Sequence, residues 1–285
     1  MFRALRPPRP HFRPGTMSAS TALNIAALIA VLPATAASLR GLTAEPGRLF
    51  WLLLAVAVAG PVVWTVAATH GSWRTDLSFA LWVSVSASLT VYAVSAVFSR
   101  AVARLAPVFL TLMTLLALLA AVSEGTGGAR DAGAPMADGG WFWLHILVSV
   151  ATYALLAVAA AASLAALIQE RALKRKRPLT RLAGLPSVLD CEGVVVRFLW
   201  LTEAVLALGL ATGAAVNLTH EAPGLTFDHK TVFAIAAFMV IGALLIAHER
   251  SGARGRRVAR LVLLAYLFVT LAYPGVKFVT SVLLA

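Results

Sequence analysis

Charged residues and cysteine are both scarce in this 285-residue sequence. Asp, Glu, Lys and Arg make up 13% of the chain, against about 25% in soluble domains, so a water-soluble globular domain is excluded. The single cysteine, Cys191, excludes a disulfide framework, a paired-cysteine redox motif and a thiolate zinc site. Hydrophobic residues, by contrast, account for 60% of the chain.

Long apolar runs account for this excess. An α-helix needs about 20 apolar residues to cross a hydrocarbon core of roughly 30 Å, and the runs show no period-two alternation, which excludes a membrane barrel. No stretch outside the runs is long enough for a separate soluble domain. The sequence therefore predicts an all-α, polytopic membrane protein with eight transmembrane helices, near residues 21–41, 49–69, 77–98, 106–123, 141–168, 197–217, 230–248 and 258–283.

The distribution of charge predicts the orientation of these spans. The net charge is +12, and its basic residues cluster in the loops 169–196 and 249–257, which predicts that both loops are cytoplasmic. The loops 124–140 and 218–229 hold acidic residues and a single basic one, Arg130, so we place them on the outer side. With eight spans, both termini then lie on the outer, periplasmic side. The charge thus reports topology and contact with the lipid bilayer, and nucleic acid is not an expected partner.

The amino terminus conflicts with this orientation, because its first sixteen residues carry four arginines. We interpret residues 1–16 as a disordered basic extension upstream of a natural start at Met17. Residues 17–123 then form a four-helix membrane half with few ionisable groups. The Gly- and Asp-rich residues 124–140 form a flexible outer loop, and residues 141–285 form a second four-helix half.

Two histidines fall at the outer ends of predicted spans that run in the same direction: His145 on the fifth and His229 on the seventh. Two imidazoles on facing helices are what axial ligation of a haem iron requires. The flat apolar walls expected around such a ring are Trp141, Phe142, Trp143 and Phe227. Asp228, Glu221 and nearby backbone carbonyls are the candidate acceptors for the second nitrogen of a ligand imidazole, and Lys230 is expected to lie towards a propionate.

Other interpretations of these histidines stay open. His220, Glu221 and His229 form a set that suits a divalent metal. Alternatively, Trp141 and Trp143 belong to an interfacial aromatic belt, and the histidines are bonded to headgroups and water.

Three further features bear on helix structure and charge. Pro33 and Pro61 lie inside predicted spans and are expected to kink them. In residues 186–196, Pro186 near the start and the apolar residues after it predict a short interfacial helix that precedes the sixth span. Glu203 lies within that span, where we expect it to pair with Arg197 or with loop arginines; proton or cation handling is the alternative.

Several stretches of the second half resemble one family. The stretch from Trp143 to Lys174, "WLHILVSVATYALLAVAAAASLAALIQERALK", resembles the first helix of the cytochrome c assembly domain in the CcsA/CcmC/HemX superfamily. "FDHKTVFAIAAF" is similar to the place where those proteins carry a tryptophan-rich motif before a span. "GARGRRVAR" and "LAYPGVKFV" resemble the closing loop and the last helix. The likeness covers residues 141–283, and the short HemX-like or YpjD-like inner-membrane branch is the nearest.

The resemblance implies haem handling at the outer face of the bacterial inner membrane, with His145 at the position of the first external haem ligand. The motif tryptophans are absent, and the motif proline is replaced by His229. The function expected is therefore non-enzymatic binding and handling of haem b in cytochrome c biogenesis, alongside other maturation proteins or an apocytochrome. The alternatives are an accessory or assembly subunit of a larger membrane complex without a cofactor, and a transporter for an ion or small molecule.

Overall fold

A computed structural model of the chain describes residues 19–69, 76–124, 140–175, 184–219 and 229–272, with the backbone alone at 19, 217–219 and 229–230. Every regular element within these residues is helical, which confirms the predicted all-α class. In chain order the helices are α1 (Ala19–Leu39), α2 (Arg48–Thr69), α3 (Leu77–Phe98), α4 (Arg100–Ala103), α5 (Ala106–Val122), α6 (Gly140–Lys174), α7 (Val188–Thr219), α8 (His229–Ser251) and α9 (Arg256–Thr270).

The helices coincide with the predicted spans, although the last span extends beyond the described residues. Six helices are long and apolar enough to cross a membrane, namely α1, α2, α3, α6, α7 and α8. The apolar helix α5 has 17 residues and α9 has 15, so both are shorter than a full span in the part of the chain that is described. The chain is thus a multi-pass membrane protein, and the count of eight spans stays a prediction.

Helix α7 corrects one expectation. The separate interfacial helix predicted for 186–196 does not form, because α7 runs unbroken from Val188. Ser187 and Asp190 explain this start: the Asp190 amide donates to Ser187 Oγ over 3.1 Å, and the Ser187 amide donates to the Asp190 carboxylate over 3.3 Å. This reciprocal arrangement satisfies the free amides at a helix amino terminus. As a result Cys191 lies buried in the first turn of α7 and not in a loop.

Helix α6 joins the two halves of the molecule. It packs against α3 and α5 of the first half and against α7 and α9 of the second. Alanines supply much of its buried surface, among them Ala154, Ala157 and Ala165, each fully buried. Small side chains let helix backbones approach closely in lipid, where no hydrophobic driving force assembles helices. In the second half α8 packs against α7 and α9, so α6 and α8 face each other diagonally.

The bundle has two chemically different ends. We call the end where α6 begins and α7 finishes the histidine end, because it carries His145. We call the opposite end the basic end, because the helix termini there carry arginines and lysines; its members include Arg40, Arg48, Arg100, Arg104, Arg171, Lys174, Arg250 and Arg256. A bond from Arg104 Nε to the Gly184 carbonyl, 3.2 Å long, connects two loops at the basic end.

Helices α1 and α2 cross closely at a glycine. A Cβ built on Gly60 would lie 2.4 Å from the Cβ of Ala30 and 3.5 Å from the Cα of Ala27. The two prolines singled out in the sequence, Pro33 and Pro61, both lie inside helices that continue past them. The crossing is therefore set by the absence of a side chain at Gly60.

Asn24 connects α1 to α3 and α5 near the histidine end. Its side chain is 1% exposed, and its Oδ1 accepts from the indole nitrogen of Trp82 over 2.7 Å. Its Nδ2 donates to the Glu124 carboxylate and, over 3.4 Å, to the Ala121 carbonyl. The carboxamide thus satisfies a buried indole and fixes three helices at one level.

Asn24→Ala is expected to lower the free energy of unfolding by about 1–3 kcal/mol, because the buried Trp82 indole loses its acceptor. Thermal unfolding followed by circular dichroism in detergent would measure this. Trp82→Phe provides the control, since the same Asn24→Ala change made in that background leaves no indole unpaired and should cost less. Equal costs in the two backgrounds would contradict the assignment.

Candidate functional site

His145 is seated against α7 at the histidine end. Its Nδ1 lies 3.1 Å from the carbonyl oxygen of Gly209 and 3.3 Å from the hydroxyl oxygen of Thr212. The side chain is half-buried, whereas Thr212 is 6% exposed. The imidazole is therefore oriented by hydrogen-bonding groups of the neighbouring helix α7.

The partners of Nδ1 define the state of the ring. A carbonyl oxygen only accepts, so Nδ1 carries the proton that it donates to Gly209. The Thr212 hydroxyl donates to the Leu208 carbonyl, 2.9 Å away, or to that of Gly209, 3.1 Å away, and its oxygen can accept from Nδ1 as well. In the neutral imidazole this leaves the lone pair on Nε2, the atom that is free to coordinate.

Gly213 provides the space for the ring. A Cβ on Gly213 would lie 3.0 Å from Cε1 of His145 and 3.4 Å from Nδ1. The imidazole consequently rests on the α7 backbone, and a larger side chain at this position would occupy the same volume.

Sequence reasoning did not identify these α7 residues. We expected an acceptor for the ligand imidazole among Asp228, Glu221 and backbone carbonyls, and the structure supplies the Gly209 carbonyl. A signal was present, because Gly209, Thr212 and Gly213 have the spacing i, i+3, i+4 that places them on one helix face. Such a small-residue face in a membrane helix marks a close approach.

The aromatic residues beside His145 lie on different sides of α6. Trp141 precedes His145 by four residues and lies about 40° from it around the helix, whereas Trp143 lies about 160° away. The two indoles are 52% and 43% exposed, respectively, and the Phe142 ring meets that of Trp143 edge to face at 6.1 Å. Trp141 is thus on the side of His145 and Trp143 is on the far side of the helix.

The remaining predicted site residues lie beyond what the structure shows of side chains. Phe227, Asp228, His220 and Glu221 fall outside the described residues, and His229 and Lys230 are described by their backbone only. That backbone places His229 at the start of α8, at the histidine end, because α6 and α8 both run antiparallel to α7. The two histidine-bearing helix ends therefore share one end of the bundle at diagonal corners.

The basic end closes by polar contacts among α6, α7 and the α8–α9 connection. Arg256 Nε lies 2.7 Å from a Glu170 carboxylate oxygen, and the Gly255 amide donates to Glu192 over 3.1 Å. His248 Nδ1 lies 3.3 Å from the Ala253 carbonyl, so this imidazole is at the opposite end from His145. Within the described residues no group of three His, Cys, Asp or Glu side chains could hold a metal ion.

Fold and site together define a multi-pass helical membrane protein that presents an oriented imidazole at one end of its bundle. The family described as "Cytochrome C assembly protein" matches residues 74–284, and this chain belongs to that family. The match confirms the resemblance to the cytochrome c assembly family and extends it to α3, α4 and α5, before the predicted boundary at residue 141. The HemX-like branch stays a prediction. The family assigns the chain a role in cytochrome c biogenesis.

One relative covers nearly the whole chain. It is 45% identical over 276 residues, which is 94% of this chain and all of the relative, and it is described as "Uncharacterized 28.8 kDa protein in nifR3-like 5'region" of Azospirillum brasilense. No solved structure shows a significant match to the chain.

Proposed function

We propose that this protein is a non-enzymatic haem-handling component of cytochrome c biogenesis, of the HemX-like branch, and that His145 would ligate the haem iron. The observation that carries the proposal is the bond from His145 Nδ1 to the Gly209 carbonyl, 3.1 Å long. It leaves Nε2 unprotonated in the neutral ring, and a backbone carbonyl on the distal nitrogen is the usual support of a metal-ligating histidine.

The chemistry of the donor set fits haem b. When bound, haem b would supply an iron that takes imidazole nitrogen as a ligand. His145 would provide one such nitrogen, and the exposed ring of Trp141 on the same side of α6 would offer a flat apolar surface. His229 is the proposed second ligand, with Phe227, Asp228 and Lys230 as further contacts. Trp143, which was predicted as a wall of the same site, lies on the far side of α6 and is not included. Thr212 and Gly213 hold the His145 ring in orientation.

The charge pattern supports a location for this site. Arginines and lysines collect at the basic end, which by the positive-inside rule faces the cytoplasm. The histidine end then faces the outer side of the bacterial inner membrane. A haem carrier there would meet an apocytochrome or other maturation proteins at the aromatic rim formed by Trp141 and Trp143.

Haem retention is expected to depend on His145 and not on His248. The protein would be expressed with ample haem and purified in detergent, and its reduced-minus-oxidised spectrum recorded. We expect His145→Ala to remove the haem bands, because the only oriented imidazole at the described histidine end is lost. His248→Ala, which removes an imidazole at the opposite end, should leave them unchanged.

Two results would contradict the proposal. Wild-type protein that stays colourless after expression with ample haem would exclude haem binding. Haem bands that survive unchanged in His145→Ala would exclude His145 as a ligand. The accessory-subunit alternative predicts a colourless protein that copurifies with a membrane complex in both variants.

A further inference from the structure

Glu203 lies within the apolar part of α7, apart from the site of His145. It follows Arg197 by six residues, about 9 Å along the helix axis, and precedes Val216 by thirteen, about 20 Å. Six residues also turn the helix so that the two side chains point about 120° apart, and Arg197 is exposed on the outer surface of the bundle. The pairing of Glu203 with Arg197 that the sequence suggested therefore does not form.

The carboxyl group is pressed against the backbone of α8. Its Oε1 lies 2.9 Å from the position that a Cβ on Gly242 would occupy. Its Oε2 is buried and has no hydrogen-bond partner among the described residues. The carboxyl thus occupies the seam between α7 and α8 at a point where α8 carries no side chain.

The preceding residue is unusual in the same way. Thr202 is fully buried, and its hydroxyl oxygen has no hydrogen-bond partner among the described residues. Eight other threonine hydroxyls in the described helices bond to the carbonyl four residues earlier, namely those of Thr35, Thr65, Thr90, Thr111, Thr114, Thr152, Thr212 and Thr270. Thr202 and Glu203 therefore each carry a buried polar atom that has no hydrogen-bond partner among the described residues, although buried polar atoms are usually hydrogen-bonded.

No described cation or donor compensates a charge at Glu203. The helices packed against α7 are α4, α6 and α8, and the ionisable groups of their central parts are engaged elsewhere. The Tyr153 hydroxyl of α6 is 2.8 Å from that of Tyr266 on α9, and Glu170 pairs with Arg256. On α8 the nearest ionisable residue towards the basic end is His248, six residues or about 9 Å beyond Gly242. The other ionisable residues of α4, α6 and α8 lie towards the ends of these helices: Arg100 on α4, His145, Arg171 and Lys174 on α6, and His229, Lys230, Glu249 and Arg250 on α8.

An unpaired carboxylate in hydrocarbon is costly because it loses its hydration, and a neutral carboxylic acid avoids most of that cost. We propose that Glu203 is a proton-binding site, a carboxylic acid held neutral at the seam of α7 and α8. Its proton exchanges when water reaches the seam. The ligand of this site is a proton, and the proposal does not rest on haem binding at His145.

Carbodiimide modification tests this proposal in the full-length protein. Dicyclohexylcarbodiimide partitions into apolar regions and reacts with protonated carboxyl groups, and peptide mass spectrometry locates the adduct. We expect Glu203 to be modified at neutral pH and the modification to fall as the pH is raised. Glu170, which is ion-paired at the basic end, should stay unmodified, and Glu203→Gln should abolish the adduct in the α7 peptide. A water-soluble carbodiimide should modify Glu203 poorly.

Infrared spectroscopy separates a failure of reagent access from a failure of the proposal. A neutral carboxylic acid gives a C=O stretching band distinct from those of carboxylates and amides, and this band should be lost in Glu203→Gln but kept in Glu170→Gln. If the wild-type and Glu203→Gln spectra are identical in this band at neutral pH, Glu203 is ionised and the proposal is overturned. Modification of Glu203 by the water-soluble reagent as readily as by the apolar one would also overturn it.

Discussion

Replacing Gly213 by valine is expected to abolish haem retention as completely as removing His145 itself. Even the first atom of a side chain at this position would lie 3.0 Å from Cε1 of the imidazole, and valine adds two methyl groups there. The ring would have to leave its seat, which breaks the bond from Nδ1 to Gly209 and the orientation of Nε2. The spectrum of the purified protein measures the loss.

Matched controls separate this effect from a general loss of helix stability. Gly193 is on the same helix, and a Cβ there would meet nothing within 4 Å, so Gly193→Val should keep the haem bands. Thr212→Val keeps the shape of the side chain but removes one acceptor of the Nδ1 proton, and we expect partial retention because the Gly209 carbonyl remains. A Gly213→Val protein with a wild-type spectrum would contradict both the seat and the role of His145.

Replacing Gly60 by leucine is expected to separate α1 from α2 and to lower the unfolding temperature strongly. Dispersion contacts between closely approaching backbones hold membrane helices together, and overpacking of a well-packed contact costs about 1–3 kcal/mol or more. A Cβ at position 60 would lie 2.4 Å from that of Ala30, so part of the penalty is already present in Gly60→Ala. Thermal unfolding in detergent, followed by circular dichroism, would measure both variants.

A compensating change tests the cause of that penalty. The double variant Ala30→Gly with Gly60→Ala removes the close pair of Cβ atoms, and the next contacts, to the backbone of Ala27, are at 3.5 Å. We expect it to unfold close to the wild-type temperature. Gly47→Ala, where no atom lies within 4 Å, serves as the neutral control. If Ala30→Gly fails to rescue Gly60→Ala, the crossing geometry is wrong.

The sequence predicted the elements well, because the signal for a membrane helix is local. Apolar length located eight of the nine described helices, the exception being the four-residue α4. The placement of His145 near the start of α6 followed from its position in its apolar run. The start of α7 was predicted wrongly, although Ser187 and Asp190 carry the spacing of a helix amino terminus. The apolar residues within 186–196 favoured a separate interfacial helix instead.

The contacts between helices could not be predicted in the same way. The seat of His145 consists of two glycines and a threonine, residue types that carry little chemistry of their own, and their role depends on which face of α7 meets α6. Likewise, the short separation in sequence favoured a pair between Glu203 and Arg197, but the helical twist over six residues points the two side chains about 120° apart. These features depend on which face each helix turns towards its neighbour and on how far the helices are shifted along their axes, and a single sequence reveals neither.

The unbroken course of α7 has a mechanical consequence. Glu203 and Gly213 are ten residues apart on this continuous helix, about 15 Å along its axis. Glu203 contacts α8, and Gly213 contacts α6. A shift of α7 along its axis at its contact with Gly242 would therefore also move the Gly209 carbonyl, which lies 3.1 Å from Nδ1 of His145 and orients that ring.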